Sequence, residues 1–199
     1  VIHVMRDYHD VDLFQQELRR AKNRLIYEEF YTLQLKLARD YAAERARARA
    51  PRFGDRELGR AMVRHLPFKL TGDQRQAIAT IAADMERQQP MRRLLQGDVG
   101  SGKTVVSLMA AAIAIGNGHQ VAMMAPTDIL ARQHLRRAEE FFGELDVAMC
   151  YLGGSLGAAH KRQALASIAS GEAQLLIGTH ALFQEGVAFD ALGLVVIDE

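Results

Sequence analysis

The chain has 199 residues, of which 49% are hydrophobic and 25% charged, and its formal net charge is +1. These values are typical of a folded globular protein and exclude a low-complexity or strongly basic chain. Any basic surface for nucleic acid must therefore be local.

The only cysteine, Cys150, excludes an internal disulfide. Its apolar neighbours indicate a buried, inert thiol, which fits a cytoplasmic location. The longest apolar run, 105–115, is too short to span a bilayer, so we expect no membrane partner. The first residues lack the pattern of a signal peptide. Because the chain starts with valine and ends on an apolar strand and two carboxylates, we expect it to be part of a larger protein.

The first third of the chain is predicted to be a helical linker. Residues 10–50 contain no glycine or proline, and apolar residues recur at the spacing of one helix face at Ile26, Phe30, Leu33 and Leu37. A second, short helix is predicted over 56–66, where Pro67 ends it. Residues 1–66 therefore form a connector without its own core, and the folded lobe is expected over 67–199.

The lobe alternates short apolar strands with amphipathic helices. Helices are predicted over 70–85, 102–115, 127–142 and 157–170, and strands over 92–96, 120–126, 146–152, 173–179 and 193–199. This alternation predicts an α/β fold with a parallel sheet and helices on both faces.

One glycine-rich segment carries the most specific motif. Residues 97–104 read GDVGSGKT, which is the phosphate-binding P-loop spacing, between a predicted strand and a predicted helix. Glycines let successive N–H groups point at an anion, and the helix N-terminus adds partial positive charge. Lys103 is expected to reach the β- and γ-phosphates, and the Thr104 hydroxyl to hold Mg²⁺.

The last predicted strand ends in two carboxylates. Asp198 and Glu199 follow a buried parallel strand, at the edge of the sheet where such folds bind ligands. Asp198 is a candidate Mg²⁺ ligand and Glu199 a candidate general base for the attacking water. Two carboxylates at a strand end together with a P-loop favour an ATP hydrolase over a protein that only binds nucleotide.

These residues resemble the first motor lobe of superfamily 2 helicases and translocases, and in particular of the RecG-type branch. The resemblance rests on LPFKLTGDQRQAI, RLLQGDVGSGKTVV, MAPTDILARQH and IGTHALFQEGVAFDALGLVVIDE within 66–199. A weaker likeness at 20–50 is to the segment that joins the wedge domain to the motor. The motor-lobe resemblance implies a RecA-like P-loop lobe, truncated at motif II, whose wedge domain and second motor lobe lie elsewhere in the intact protein.

The resemblance also implies site residues and partners. The nucleotide-binding set, for ATP with Mg²⁺, is Phe68, Gln74, Gly97, Gly100, Ser101, Gly102, Lys103 and Thr104. Phe68 and Gln74 would lie near the adenine. Residues of segments that line the DNA path are Pro126, Thr127, Gly153, Thr179 and His180. The implied substrate is branched double-stranded DNA, such as forks and Holliday junctions.

Alternatives remain both for the roles of single residues and for the function of the protein. Gln74 is alternatively a solvated helix residue, Thr127 only an N-cap, and His180 a structural histidine. The basic run 44–52 and the arginines of helix 127–142 are alternatively solvated helix faces. The competing functions are an Mfd-like transcription-repair coupling translocase, a P-loop ATPase without a DNA track, and a non-catalytic binding piece.

Overall fold

The computed structural model describes residues 11–47 and 49–198, in two units that divide after residue 48. The described part of the first unit is one long helix, α1 (Val11–Arg47). Much of its apolar surface is exposed, including Leu25, Ile26 and Phe30. Within the described part of the chain, no helix is long and apolar enough to cross a lipid bilayer.

The second unit is built on a four-stranded parallel sheet. Its strands are β1 (Gln120–Met124), β2 (Met149–Leu152), β3 (Leu175–Gly178) and β4 (Leu192–Ile197), in the order β2-β3-β1-β4. Every pairing is parallel. Parallel strands need crossover connections; α-helices join the first three strands, and a short 3₁₀ turn lies between β3 and β4. The predicted α/β class is confirmed.

The helices cover both faces of the sheet, as expected for an all-parallel sheet. They are α2 (Glu57–His65), α3 (Gly72–Met85), α4 (Lys103–Gly116), α5 (Asp128–Phe142) and α6 (Ala158–Ala169), and a 3₁₀ turn spans His180–Phe183. Helices α2 to α5 share one core with strand side chains such as Val121 and Ile177. α6 and the 3₁₀ turn pack with Leu176 on the other face. Alternate side chains of β3 thus enter opposite cores, as the pleat of a strand requires.

Two helix starts follow from the caps that the sequence predicts. The Thr71 hydroxyl accepts a hydrogen bond from the Gln74 N–H at 3.2 Å, and the Gln74 side chain accepts one from the Thr71 N–H, which makes a capping box. The Thr127 hydroxyl accepts from the Leu130 N–H at 3.3 Å and caps α5.

The strand predicted over 92–96 is wrong: this segment has no regular secondary structure and belongs to no sheet. A strand needs a hydrogen-bonding partner. Residues 93–95 and strand β4 instead line one cavity of about 170 Å³ and do not pair with each other. Leu94 is 86% exposed, so no packing holds its side chain. Arg93 instead forms an ion pair with Asp84 of α3, which ties the segment to a helix.

Part of the predicted linker packs into the lobe. Met62 of α2 is fully buried in the main core, and the backbone N–H of Phe53 donates to the Met85 carbonyl at 3.1 Å. The Asn117 side chain, after α4, exchanges hydrogen bonds with the backbone of Asp55. The compact unit therefore includes residues 49–66, because the apolar side of this short helix needs a core to cover it. The assignment of 1–66 to a connector between domains stays a prediction.

Candidate nucleotide and DNA sites

The glycine loop has the backbone geometry of a phosphate cradle. Gly100 and Gly102 have φ of +80° and +87°, a left-handed conformation that side-chain-bearing residues rarely adopt. α4 begins at Lys103 with no side-chain cap at Gly102. The first N–H groups of this helix are therefore available to an anion, and the helix dipole favours one.

The loop is also too tightly folded for side chains at two of its glycines. A Cβ on Gly97 would lie 2.6 Å from Ser101 Oγ, and a Cβ on Gly102 would collide with the side-chain nitrogen of Gln74. The described residues therefore fit a bound triphosphate: two glycines of the loop have left-handed backbones, and the first turn of α4 has no side-chain cap.

The side-chain ammonium of Lys103 is hydrogen-bonded to the backbone of this loop. Its Nζ donates to the carbonyls of Gly97 at 2.8 Å and Asp98 at 3.0 Å. An ammonium has three donors and a flexible stem, so it can leave these carbonyls for phosphate oxygens. Lys103 also lines the cavity that contains Asp198.

Gln74 lies against the loop through both ends of its amide. Its Nε2 donates to the Ser101 carbonyl at 2.9 Å, while its Oε1 accepts from the Thr71 N–H at 2.9 Å. The side chain is therefore a brace between the start of α3 and the P-loop, which sequence reasoning did not foresee. A base edge recognised by this amide would have to exchange with these partners.

Phe68 is 43% exposed, and its ring meets Phe141 of α5 edge to face at 5.7 Å. Its exposed part can stack on a base.

Asp198 is positioned from two sides. Its N–H donates to the carbonyl of Met124, the last residue of β1, at 2.9 Å. Its Oδ2 lies 2.7 Å from Nε2 of His134, a residue of α5. Sequence reasoning missed His134, although it lies two turns after Thr127 in the motif MAPTDILARQH. Glu199 lies outside the described residues.

A divalent ion would have few protein ligands here. Among the residues described, no group of three or more His, Cys, Asp or Glu is placed to hold a metal. Thr104 and His134 line one polar groove of about 560 Å³, and His134 contacts Asp198. One hydroxyl and one carboxylate, completed by water and phosphate oxygens, match the preference of Mg²⁺.

The candidate DNA residues follow the ends of three adjacent strands. Met124, Gly178 and Leu152 are in register across β1, β3 and β2. The residues after them, which include Pro126, Thr127, Gly153, Thr179 and His180, therefore share one edge of the sheet. Pro126, Thr127 and His180 are exposed, whereas Gly153 and Thr179 are buried. The buried pair shapes this edge, and the exposed residues can reach a phosphate chain.

A polar cluster supports the same edge. The Arg132 guanidinium lies 4.4 Å from the centre of the Tyr151 ring and donates to the Ser155 hydroxyl at 3.2 Å. The Ser155 hydroxyl beside Asp128 lowers the pKa of that carboxyl below its ordinary value. Burial raises the pKa of the Tyr151 hydroxyl. A Cβ on Gly153 would crowd the side chains of Tyr151 and Asp128, so a larger residue would disturb this cluster where it meets β2.

The other arginines of α5 lie near the nucleotide site. Arg136 and Arg137 line the polar groove that contains Thr104, and Arg137 pairs with Glu140 at 2.8 Å.

Comparisons with known proteins agree with this arrangement. The DEAD/DEAH box helicase family matches residues 71–199. The chain is 43% identical over 187 residues to the ATP-dependent DNA helicase RecG of Bacillus subtilis, covering 93% of this chain and 27% of the relative. It is 44% identical over 180 residues to RecG of Escherichia coli, covering 90% of this chain and 26% of that protein.

A solved structure extends the likeness to three dimensions. The structure of RecG bound to a three-way DNA junction matches with a TM-score of 0.81 and 43% identity, covering 92% of this chain and 25% of that one. The chain thus spans about a quarter of the length of the relatives it matches. It belongs to the DEAD/DEAH box helicase family, and its lobe is homologous to the first motor lobe of the RecG ATP-dependent DNA helicases.

Proposed function

We propose that this chain is the ATP-binding lobe of a double-stranded DNA translocase that remodels forks and Holliday junctions in recombination and repair. The observation that carries the proposal is the arrangement at one edge of one sheet. Lys103 of the P-loop and Asp198 line one cavity beside β4, and the exposed residues Pro126, Thr127 and His180 lie beyond β1 and β3. A motor needs a nucleotide site and a track site joined by rigid elements, and this edge supports both.

The nucleotide would be ATP with Mg²⁺, bound by the site residues described above. The bound nucleotide supplies a transferable phosphoryl group, and the protein contributes position and charge. The N-terminus of α4 and Lys103 would bind and neutralise the phosphates. Thr104 and Asp198 would hold the ion, and Glu199 would take the proton of the attacking water. Phe68 and Gln74 would border the adenine.

The track would be recognised through phosphates, not bases. Hydroxyl and backbone donors at strand ends and helix starts position a nucleic-acid chain without reading its sequence. Binding should therefore weaken as salt increases. We assign the preference for branches to a wedge domain and the completion of the ATP site to a second motor lobe, both outside this chain. The 199 residues alone should then bind nucleotide weakly and hydrolyse it slowly.

The test compares ATPase rates of the intact protein with forked DNA, linear duplex and no DNA. Lys103→Ala should abolish stimulation, because it removes the charge that faces the phosphates. Lys161→Ala is the matched control, since Lys161 is an exposed lysine on α6, which packs on the opposite face of the sheet. A preference for forks that Lys103→Ala abolishes would support the proposal.

The other outcomes separate the alternatives. Equal rates on forks and linear duplex would favour an Mfd-like translocase. ATP hydrolysis at the same rate with and without DNA would favour a P-loop ATPase that does not move along DNA. Activity that survives Lys103→Ala would favour a non-catalytic role for this lobe. Strong DNA-stimulated hydrolysis by the 199 residues alone would contradict the need for a second lobe.

A further inference from the structure

The contact between His134 and Asp198 joins two segments 64 residues apart. The side chain of His134 is only 10% exposed, and that of Asp198 is 31% exposed. A carboxylate can only accept hydrogen bonds, so His134 Nε2 is the donor over this 2.7 Å distance. The bond takes up Oδ2, and Asp198 also lines the cavity that Lys103 lines.

The same structural unit holds the main chain of Asp198. Its N–H is bound to the carbonyl of Met124 at the end of β1. β1 continues through Ala125 and Pro126 into α5, which carries His134. Both the backbone and the side chain of Asp198 are therefore fixed by the continuous segment β1–α5, and a shift of this segment must move the carboxylate.

The other end of α5 lies at the candidate DNA edge. Thr127 caps the helix and is exposed, as is Pro126 before it. His134 lies seven residues further on, about 10 Å along the helix axis. Between and beyond these points α5 is anchored in the core by Ala131, Ala138 and Phe142, which are fully buried. A helix packed in this way moves as a rigid body rather than bending locally.

We propose that His134 is a positioning residue that couples DNA contact at the N-terminus of α5 to the orientation of Asp198, the carboxylate that would hold Mg²⁺. The coupling rests on the proposed function; the positioning of Asp198 does not require DNA. Partners that orient a ligating carboxylate affect metal affinity strongly, and their loss typically costs about 10- to 100-fold. A phosphate chain that shifts α5 would change the metal site through the bond from His134.

The experiment uses the intact protein and two variants that both fill the buried space. His134→Gln keeps an N–H donor at a similar reach, and His134→Leu removes the donor while keeping an apolar side chain of comparable size. His119→Gln is the matched control, because His119 is a half-buried histidine bound to the Asn117 carbonyl and away from Asp198. The readouts are the Mg²⁺ concentration that half-saturates binding of a fluorescent ATP analogue, measured with and without forked DNA, and the kcat and KM of hydrolysis.

We expect His134→Leu to raise the half-saturating Mg²⁺ concentration about 10- to 100-fold. We also expect this variant to lose the change in nucleotide affinity that DNA produces, with kcat falling more than KM rises. His134→Gln should restore most of both properties, and His119→Gln should match the wild type.

If the Leu and Gln variants behave alike, the side chain acts by packing and the inference is overturned. It is also overturned if His134→Leu keeps the wild-type Mg²⁺ dependence. If forked DNA changes neither nucleotide binding nor hydrolysis by the wild-type protein, the proposed function and the coupling to DNA are refuted. The Mg²⁺ dependence of the Leu and Gln variants would still decide whether His134 positions Asp198.

Discussion

The substitution Gly102→Ala tests how the glycine loop and the Gln74 brace depend on each other. Gly102 has a left-handed backbone, with φ +87°, immediately before α4. A methyl group at this position would collide with the side-chain nitrogen of Gln74, which donates to the Ser101 carbonyl. Alanine therefore introduces two separate costs, one in the backbone and one in the contact.

Each cost has a known size. An L-residue in the left-handed region costs about 1–2 kcal/mol. Losing the Gln74 hydrogen bond costs about 0.5–1.5 kcal/mol. The sum is about 1.5–3.5 kcal/mol against the cradle conformation, which corresponds to roughly 10- to 300-fold weaker nucleotide binding. Binding of a fluorescent ATP analogue measures this loss directly.

Two other glycines separate the costs. Gly100→Ala, in the same loop, has φ +80° and no atom within 4 Å of the added Cβ, so it carries the backbone cost alone. It should weaken binding about 5- to 30-fold. Gly118→Ala, in the turn after α4, has φ +79° and equally open space. It should lower stability by a similar free energy but leave nucleotide binding unchanged.

A double-mutant cycle decides whether the collision with Gln74 is real. In a Gln74→Ala background the collision is absent, so Gly102→Ala should cost no more than Gly100→Ala does. The reasoning is refuted if Gly102→Ala costs the same with and without Gln74, or if it is no more harmful than Gly100→Ala in the wild-type protein.

Three further predictions concern the rest of the lobe. Burial raises the pKa of the Cys150 thiol, so at about pH 8 iodoacetamide should label the folded protein more slowly than the urea-unfolded protein. Asp128→Asn should lower the denaturation midpoint at about pH 7. Because the folded pKa lies below 3.8, this difference is present above that value and should close as the pH falls through the lowered pKa, which measurements at about pH 7 and about pH 2 would check. Met62→Ala should lower the free energy of unfolding by about 2–5 kcal/mol in urea titrations, and a change below about 1 kcal/mol would contradict the burial of α2 in the lobe.

The local parts of the fold could be predicted because their causes are local. The alternation of strands and helices, the caps at Thr71 and Thr127 and the glycine loop each depend on neighbouring residues. The parallel sheet follows, since strands joined by helices pair in parallel. The predicted strand at 92–96 was wrong because β propensity does not supply a partner, and this segment makes no ladder with β4.

The sequence by itself determined the α/β class, the position of the P-loop and the placement of Asp198 at a strand end. Only the tertiary structure decided which distant side chains meet there. The brace of Gln74 on Ser101, the burial of Met62 and the bond from His134 to Asp198 join residues far apart in the chain. Such contacts depend on how the helices pack over the sheet, and the pattern of neighbouring residues in the sequence does not predict that packing.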